Sequence, residues 1–92
     1  KDMGAKTIIK FYADWCGPCR AYNSVWESVK KDFRDQYKFI EVDVDKDTSG
    51  LAAQHKIMSI PATVVLRNHD ATLVAKETGL LTEQQLREII NK

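Results

Sequence analysis

Hydrophobic positions along this chain alternate between strand-like runs and helix-like spacing. Thr7-Ile8-Ile9-Lys10-Phe11-Tyr12 is a short apolar run of β type, interrupted once by Lys10. From Pro18 to about Gln36 the apolar side chains fall at Tyr22, Val25, Trp26, Val29 and Phe33, the spacing of a helix with one buried face. Phe39–Val44 reads as a second strand. Asp47 to Lys56 reads as a short helix with Thr48 or Ser49 as cap, and with Leu51 and Ala52 facing inward. Ala62–Arg67 and Thr72–Lys76 form two strands joined by Asn68-His69-Asp70, a hairpin and therefore antiparallel. Gly79 ends that unit. Thr82 and Gln85 then make a T-x-x-Q capping box ahead of Leu86, Ile89 and Ile90 on one face of a last helix.

The order β-α-β-α-β-β-α predicts an α/β fold. A β-α-β unit needs parallel strands and a right-handed crossover, while the hairpin adds an antiparallel edge. The expected result is a four-stranded mixed sheet with helices on both faces. Ligands of open α/β sheets sit at the carboxyl ends of strands, which points to the segment just after Tyr12.

Composition narrows the function without naming it. A chain of 92 residues is expected to be one domain, residues 1–92, with no repeats or linkers. At that size roughly 60–65% of the extended-chain surface is buried, enough for a modest core. It is 43% hydrophobic and 29% charged with a formal net charge of +1, so there is no electrostatic case for nucleic acid or an anionic membrane. No run has the length of a transmembrane helix. The chain opens on Lys1 rather than Met and shows no signal-peptide pattern. A monomer is expected.

The candidate chemistry is Cys16-Gly17-Pro18-Cys19, directly after the first strand and holding the only two cysteines. A pair this close closes and opens a small ring by thiol–disulfide exchange, yet staples almost no chain. Pro18 suits the first turn of a helix. Cys16 then lies at the helix N-terminus, where unpaired N–H groups and the macrodipole favour a thiolate. Cys16, at the exposed start, is the expected nucleophile, and Cys19, one turn in and more buried, the resolving thiol. The competing readings are an inert pair and half a metal site. His55 and His69 do not stand at zinc-finger spacings, so no metal is expected. Asp43-Val44-Asp45-Lys46-Asp47 invites calcium, but Thr48 and Gln54 occupy the places of the glycine and glutamate that an EF-hand loop needs, so a solvated turn is expected. Two cysteines in a C-x-x-C near a β-α-β pattern suggest the reducing cytoplasm; a periplasmic location would follow if a cleaved segment precedes Lys1.

Ala13-Asp14-Trp15-Cys16-Gly17-Pro18-Cys19-Arg20 resembles the active-site segment of thioredoxins, and Ser59-Ile60-Pro61-Ala62-Thr63 resembles their cis-proline loop. The resemblance runs from about Thr7 to the C-terminus, without the extra N-terminal strand and helix of full-length members. It implies the minimal thioredoxin fold and a redox-active Cys16–Cys19 disulfide with no bound cofactor. It implies protein disulfides as substrates, and electrons from an NADPH-linked, thioredoxin-reductase-like donor. It also implies a cis Pro61 against the disulfide, an Ile60 backbone that pairs with extended substrate, and an apolar substrate patch of Trp15, Gly17, Pro18, Ile60, Pro61 and Gly79-Leu80. Trp26 is read as core.

Three positions depart from the family pattern. Lys10 stands where thioredoxins carry a buried acid, Glu41 where they carry a lysine on the neighbouring strand, and Ser24 where a proline kinks the active-site helix. Lys10 and Glu41 are therefore expected to form an inverted buried ion pair that serves Cys19 in proton transfer. The Gly-Pro dipeptide resembles that of reducing members, so the expected function is a protein disulfide reductase. The alternatives are a glutathione-dependent glutaredoxin, whose C-P-Y-C and Gly-Gly-Asp features are absent, and a non-catalytic interaction module that keeps the fold.

Overall fold

A computed structural model describes residues 5–68 and 71–92. Its elements follow the expected order: β1 (Lys6–Tyr12), α1 (Gly17–Phe33), β2 (Lys38–Asp43), α2 (Leu51–Gln54), β3 (Ala62–Arg67), β4 (Thr72–Thr78) and α3 (Glu83–Ile90). The sheet runs β2-β1-β3-β4. β1 pairs with β2 in parallel and with β3 antiparallel, and β3 pairs with β4 antiparallel.

β1 and β3 are central and covered on both faces, which is why both read as nearly continuous apolar runs. Alternate side chains separate into two cores. Ile8 and Val65 point toward α1 and α3, joining Tyr22, Trp26, Val29, Leu86, Ile89 and Ile90. Ile9, Phe11 and Val64 point the other way, with Val42 and the partly buried Leu51, Ala52 and Ile57 from around α2. Full burial of a side chain such as Leu86 contributes about 1.5–3 kcal/mol, so the two apolar stripes hold the layers together.

α1 keeps the predicted face: Tyr22, Trp26 and Val29 are buried, with Val25 and Phe33 at its margin. It ends at Phe33, whose carbonyl accepts from both Gln36 and Tyr37 N–H at 2.9 Å. The α3 capping box forms in both directions, Gln85 N–H to Thr82 Oγ1 at 3.1 Å and Thr82 N–H to Gln85 Oε1 at 3.0 Å.

α2 differs from expectation. It spans only Leu51–Gln54, and its cap is Gly50 at φ 78°, not Thr48 or Ser49. The Asp47 carboxylate takes over the preceding turn, accepting N–H groups of Ser49, Gly50 and Ala52 at 2.9, 3.2 and 3.0 Å. The helix closes where Ile57 N–H returns to the Ala52 carbonyl at 2.9 Å, which puts Lys56 at φ 55° in the left-handed region. β4 runs two residues beyond the predicted Lys76, because Glu77 and Thr78 pair with Thr63 and Ala62. His69 and Asp70 of the predicted hairpin turn lie outside the described residues.

Candidate active site

Backbone geometry places the cysteines as expected. Cys16 is the N-cap of α1 at φ −87°, ψ 109°, and its Sγ accepts the Cys19 N–H at 3.2 Å. Pro18 occupies the first turn, where no donor is lost. No acidic side chain sits in that turn, so the Cys16 sulfur is the group placed to meet the positive end of the helix. Cys16 and Cys19 are joined as a disulfide, with Cα atoms 5.2 Å apart.

One expectation is corrected. Cys16 is not exposed: it is 4% accessible against 2% for Cys19. Both lie in a small apolar cluster with Ala13, lined by Tyr12, Val44 and Ile60. The exposed surface belongs to Gly17, Pro18 and Trp15 instead. The difference between the cysteines therefore rests on the N-cap hydrogen bond, not on burial.

Around the disulfide the structure gathers the remaining predicted positions. Trp15 is 68% exposed, and its indole N–H donates to Asp45 Oδ2 at 2.6 Å. The Ile60–Pro61 peptide is cis, Pro61 is buried, and Ile60 packs against the cysteine cluster. Gly79 contributes through its backbone: at φ 96° its N–H donates to the Pro61 carbonyl at 2.7 Å, with Leu80 half-exposed beside it. Beside Trp15 and Ile60 opens an apolar groove of about 430 Å³, lined by Val44, Ala52, Ile57 and an exposed Met58.

Lys10 and Glu41 are brought side by side but not as an ion pair. They are register partners on β1 and β2, yet they are not in salt-bridge contact. Lys10 is 2% exposed. Its ammonium donates to Asn23 Oδ1 at 2.7 Å and lies 5.3 and 5.2 Å from the Tyr12 and Trp26 ring centres. Glu41 sits on the edge strand of the sheet, and its side chain stays about a third exposed. It accepts from Trp26 Nε1 at 3.0 Å and from Lys30 at 3.4 Å. Burial pushes the Lys10 pKa below its ordinary value, against the pull of Glu41 and Glu27. Burial alone would raise that of Glu41, but the Trp26 N–H, Lys10 and Lys30 bring it below the usual carboxylate value. The two charges feel each other through space.

Sequence reasoning missed Asn23 and the polar side of Tyr22. Asn23 lies one turn beyond Cys19 on the same helix face, a spacing visible in the sequence. The Tyr22 hydroxyl meets Thr63 Oγ1 at 2.6 Å, and burial raises its pKa to about 12. Ser24, exposed, bonds the Ala21 carbonyl at 3.3 Å within an uninterrupted helix. No helix of the described residues is long and apolar enough to cross a membrane. Among those residues no group of three or more His, Cys, Asp or Glu is placed to hold a metal ion.

A helix-capping cysteine, its partner one turn on, and a proline loop whose Ile60 packs against their cluster define a thiol–disulfide oxidoreductase site on a mixed four-stranded sheet. The thioredoxin family profile matches residues 1–92. Thioredoxin of Bacillus subtilis is 34% identical over 85 residues, covering 92% of this chain and 79% of its own; that of Mycoplasmoides gallisepticum is 32% identical over 85 residues, covering 92% and 81%. The X-ray structure of Fasciola hepatica thioredoxin superposes with a TM-score of 0.83 at 31% identity, covering 97% of this chain and 81% of the other. The chain belongs to the thioredoxin family, and its Cys16–Cys19 pair makes it a thiol–disulfide oxidoreductase.

Proposed function

We propose that this protein works mainly as a reductase of protein disulfides. The observation that carries the reading is the Cys16 sulfur at the α1 N-cap, accepting the Cys19 N–H with no competing acid in the first turn. In the reduced protein the Cys16 thiolate attacks one sulfur of a substrate disulfide, forming a mixed disulfide and releasing the other sulfur as a thiolate. Cys19 then gives up its proton and attacks Cys16 Sγ. The Cys16–Cys19 disulfide forms, the second substrate thiol leaves, and two electrons have passed to the substrate. An NADPH-linked reductase of the thioredoxin-reductase type restores the dithiol.

Extended substrate lies along Ile60 by backbone pairing, against Trp15, Gly17, Pro18, Pro61 and Gly79. The Lys10 ammonium favours the thiolate state from beneath α1. Glu41 takes the smaller part, fixing Trp26 over that cation and offering a carboxylate to a departing proton through water. The protein acts as a monomer in the cytoplasm, a location suggested by the lone C-x-x-C pair.

Insulin reduction driven by dithiothreitol tests the reading. Acceleration that is lost in Cys16→Ser supports it; no acceleration by the wild type would leave a non-catalytic module. A strict requirement for glutathione would move the assignment to a glutaredoxin-type activity.

A further inference from the structure

Two pieces of this site come from elements far apart in sequence. The dithiol rides on α1, while Ile60 and Pro61 stand at the head of β3. Thiol–disulfide exchange needs an attacking sulfur in line with the substrate S–S bond, and the substrate is laid along the second piece. The relative position of α1 and β3 therefore enters every encounter. Apolar packing between them is not directional and lets a helix slide on a sheet; a hydrogen bond at a fixed point does not.

Tyr22 and Thr63 supply such a point. Tyr22 lies three residues after Cys19, and Thr63 two after Pro61. Their hydroxyls meet at 2.6 Å, and both side chains are 0% exposed, so water does not compete. Thr63 is itself held in the middle of the sheet, opposite Lys10 on β1 and Glu77 on β4. The Pro61 carbonyl is held from the other side by Gly79 N–H. With its carbonyl clamped to Gly79 and its strand tied to the catalytic helix, the proline loop has a defined place relative to both sulfurs.

We infer that the buried Tyr22–Thr63 hydroxyl pair sets the docking geometry for protein disulfides, making Tyr22 and Thr63 positioning residues for substrate. The pair acts on binding more than on the exchange step itself, because neither hydroxyl is placed to exchange with substrate sulfur. The inference rests on the reductase reading and deepens it. A protein disulfide that must lie along Ile60 depends on the tie more than a small disulfide that needs only the sulfur.

The test compares Tyr22→Phe, Thr63→Val, Thr63→Ser and the double variant Tyr22→Phe/Thr63→Val. Kinetics with insulin under dithiothreitol give kcat and KM. Oxidation of the pre-reduced protein by 5,5′-dithiobis(2-nitrobenzoate), which yields the protein disulfide and two aryl thiols, gives the small-disulfide rate. Losing one buried neutral hydrogen bond corresponds to about a fivefold effect, which is the expected rise in insulin KM for each of Tyr22→Phe and Thr63→Val. The insulin rate should fall more than the small-disulfide rate, and Thr63→Ser should keep the wild-type KM. The double variant, lacking both hydroxyls, should recover melting temperature while its KM stays raised. The inference is overturned by an unmoved KM in both single variants, by parallel losses on the two substrates, or by a double variant that recovers KM with stability. A wild-type dithiol inert toward both disulfides would instead overturn the reductase reading beneath it.

Discussion

Lys10 and Glu41 face each other in register across the parallel β1–β2 pair, yet each is held by a different residue. Lys10, itself buried, donates to the exposed Asn23 on α1, and Glu41 accepts from Trp26 and Lys30. The Trp26 ring separates the two roles: its face meets the ammonium and its N–H meets the carboxylate. Glu41 lies on the edge strand, where its carboxylate stays about a third exposed and pairs with Lys30 instead.

Stability should follow those partners. Glu41→Gln should cost no more than about 1 kcal/mol, because its ion pair with Lys30 is partly exposed. Asn23→Leu removes the direct acceptor of a buried ammonium and should cost more, about 1–3 kcal/mol. Lys10→Met should be close to neutral or stabilising, since it also removes a desolvation penalty. Urea unfolding of the three variants measures the order; a Glu41 variant worse than the Asn23 variant would restore the direct pair.

The same cation should bear on the redox balance. Reduction creates a negative sulfur on the helix above Lys10, so the ammonium favours the reduced protein over the neutral disulfide. In a part-buried setting such a charge pair is worth on the order of 1–2 kcal/mol, or tens of millivolts for a two-electron couple. Lys10→Met should therefore have a more negative reduction potential, read from equilibration with glutathione or dithiothreitol buffers. A potential that stays put would mean that Asn23 and the rings screen the charge completely.

The two cysteines should react unequally despite their similar burial. The N-cap position and the Cys19 N–H act on the Cys16 sulfur alone, and the helix-end effect fades within a turn. Iodoacetamide added to the reduced protein near neutral pH should label Cys16 well before Cys19, as followed by peptide mass spectrometry. Equal rates would remove the assignment of nucleophile and resolving thiol.

His55 should make stability sensitive to acid. Its Nε2 is buried with no hydrogen-bond partner among the described residues, and its ring lies 6.2 Å from that of Phe11. Burial, with the Lys76 ammonium adding to it, holds its pKa below the ordinary 6.5. The unfolded chain then binds more protons than the folded one between the depressed folded value and 6.5, so stability rises with pH across that window. Unfolding free energy should fall as pH drops below about 6.5, and His55→Phe should flatten that slope. An unchanged pH profile in the variant would place the sensitivity in the carboxylates.

The seven elements and the redox centre were legible in the sequence because each is written locally. A run such as Ile8–Phe11 reads as a strand, and its central place in the sheet buries both its faces. The stripe from Tyr22 to Phe33 must be a helix with one apolar side, and Cys16-Gly17-Pro18-Cys19 must begin it. Thr82 and Gln85 fixed the start of α3 because a capping box is a contact across three residues. Boundaries failed at α2, where Asp47 accepts the N–H groups of Ser49, Gly50 and Ala52, Ser49 Oγ takes only that of Leu51, and Gly50 became the cap. That competition is decided by side-chain reach, which spacing does not encode.

Tertiary structure alone decided what stands next to what across the layers. Lys10 could be placed beside Glu41 from strand order. Whether its ammonium reached across to Glu41 or up to Asn23 depended on α1 lying over β1 with Trp26 between. The Tyr22 hydroxyl, the burial of Cys16, and the Gly79 clamp on Pro61 are of the same kind. Local periodicity says which face of an element turns inward. Only the packed layers say which atom waits there, because those contacts join residues tens of positions apart through space rather than along the chain.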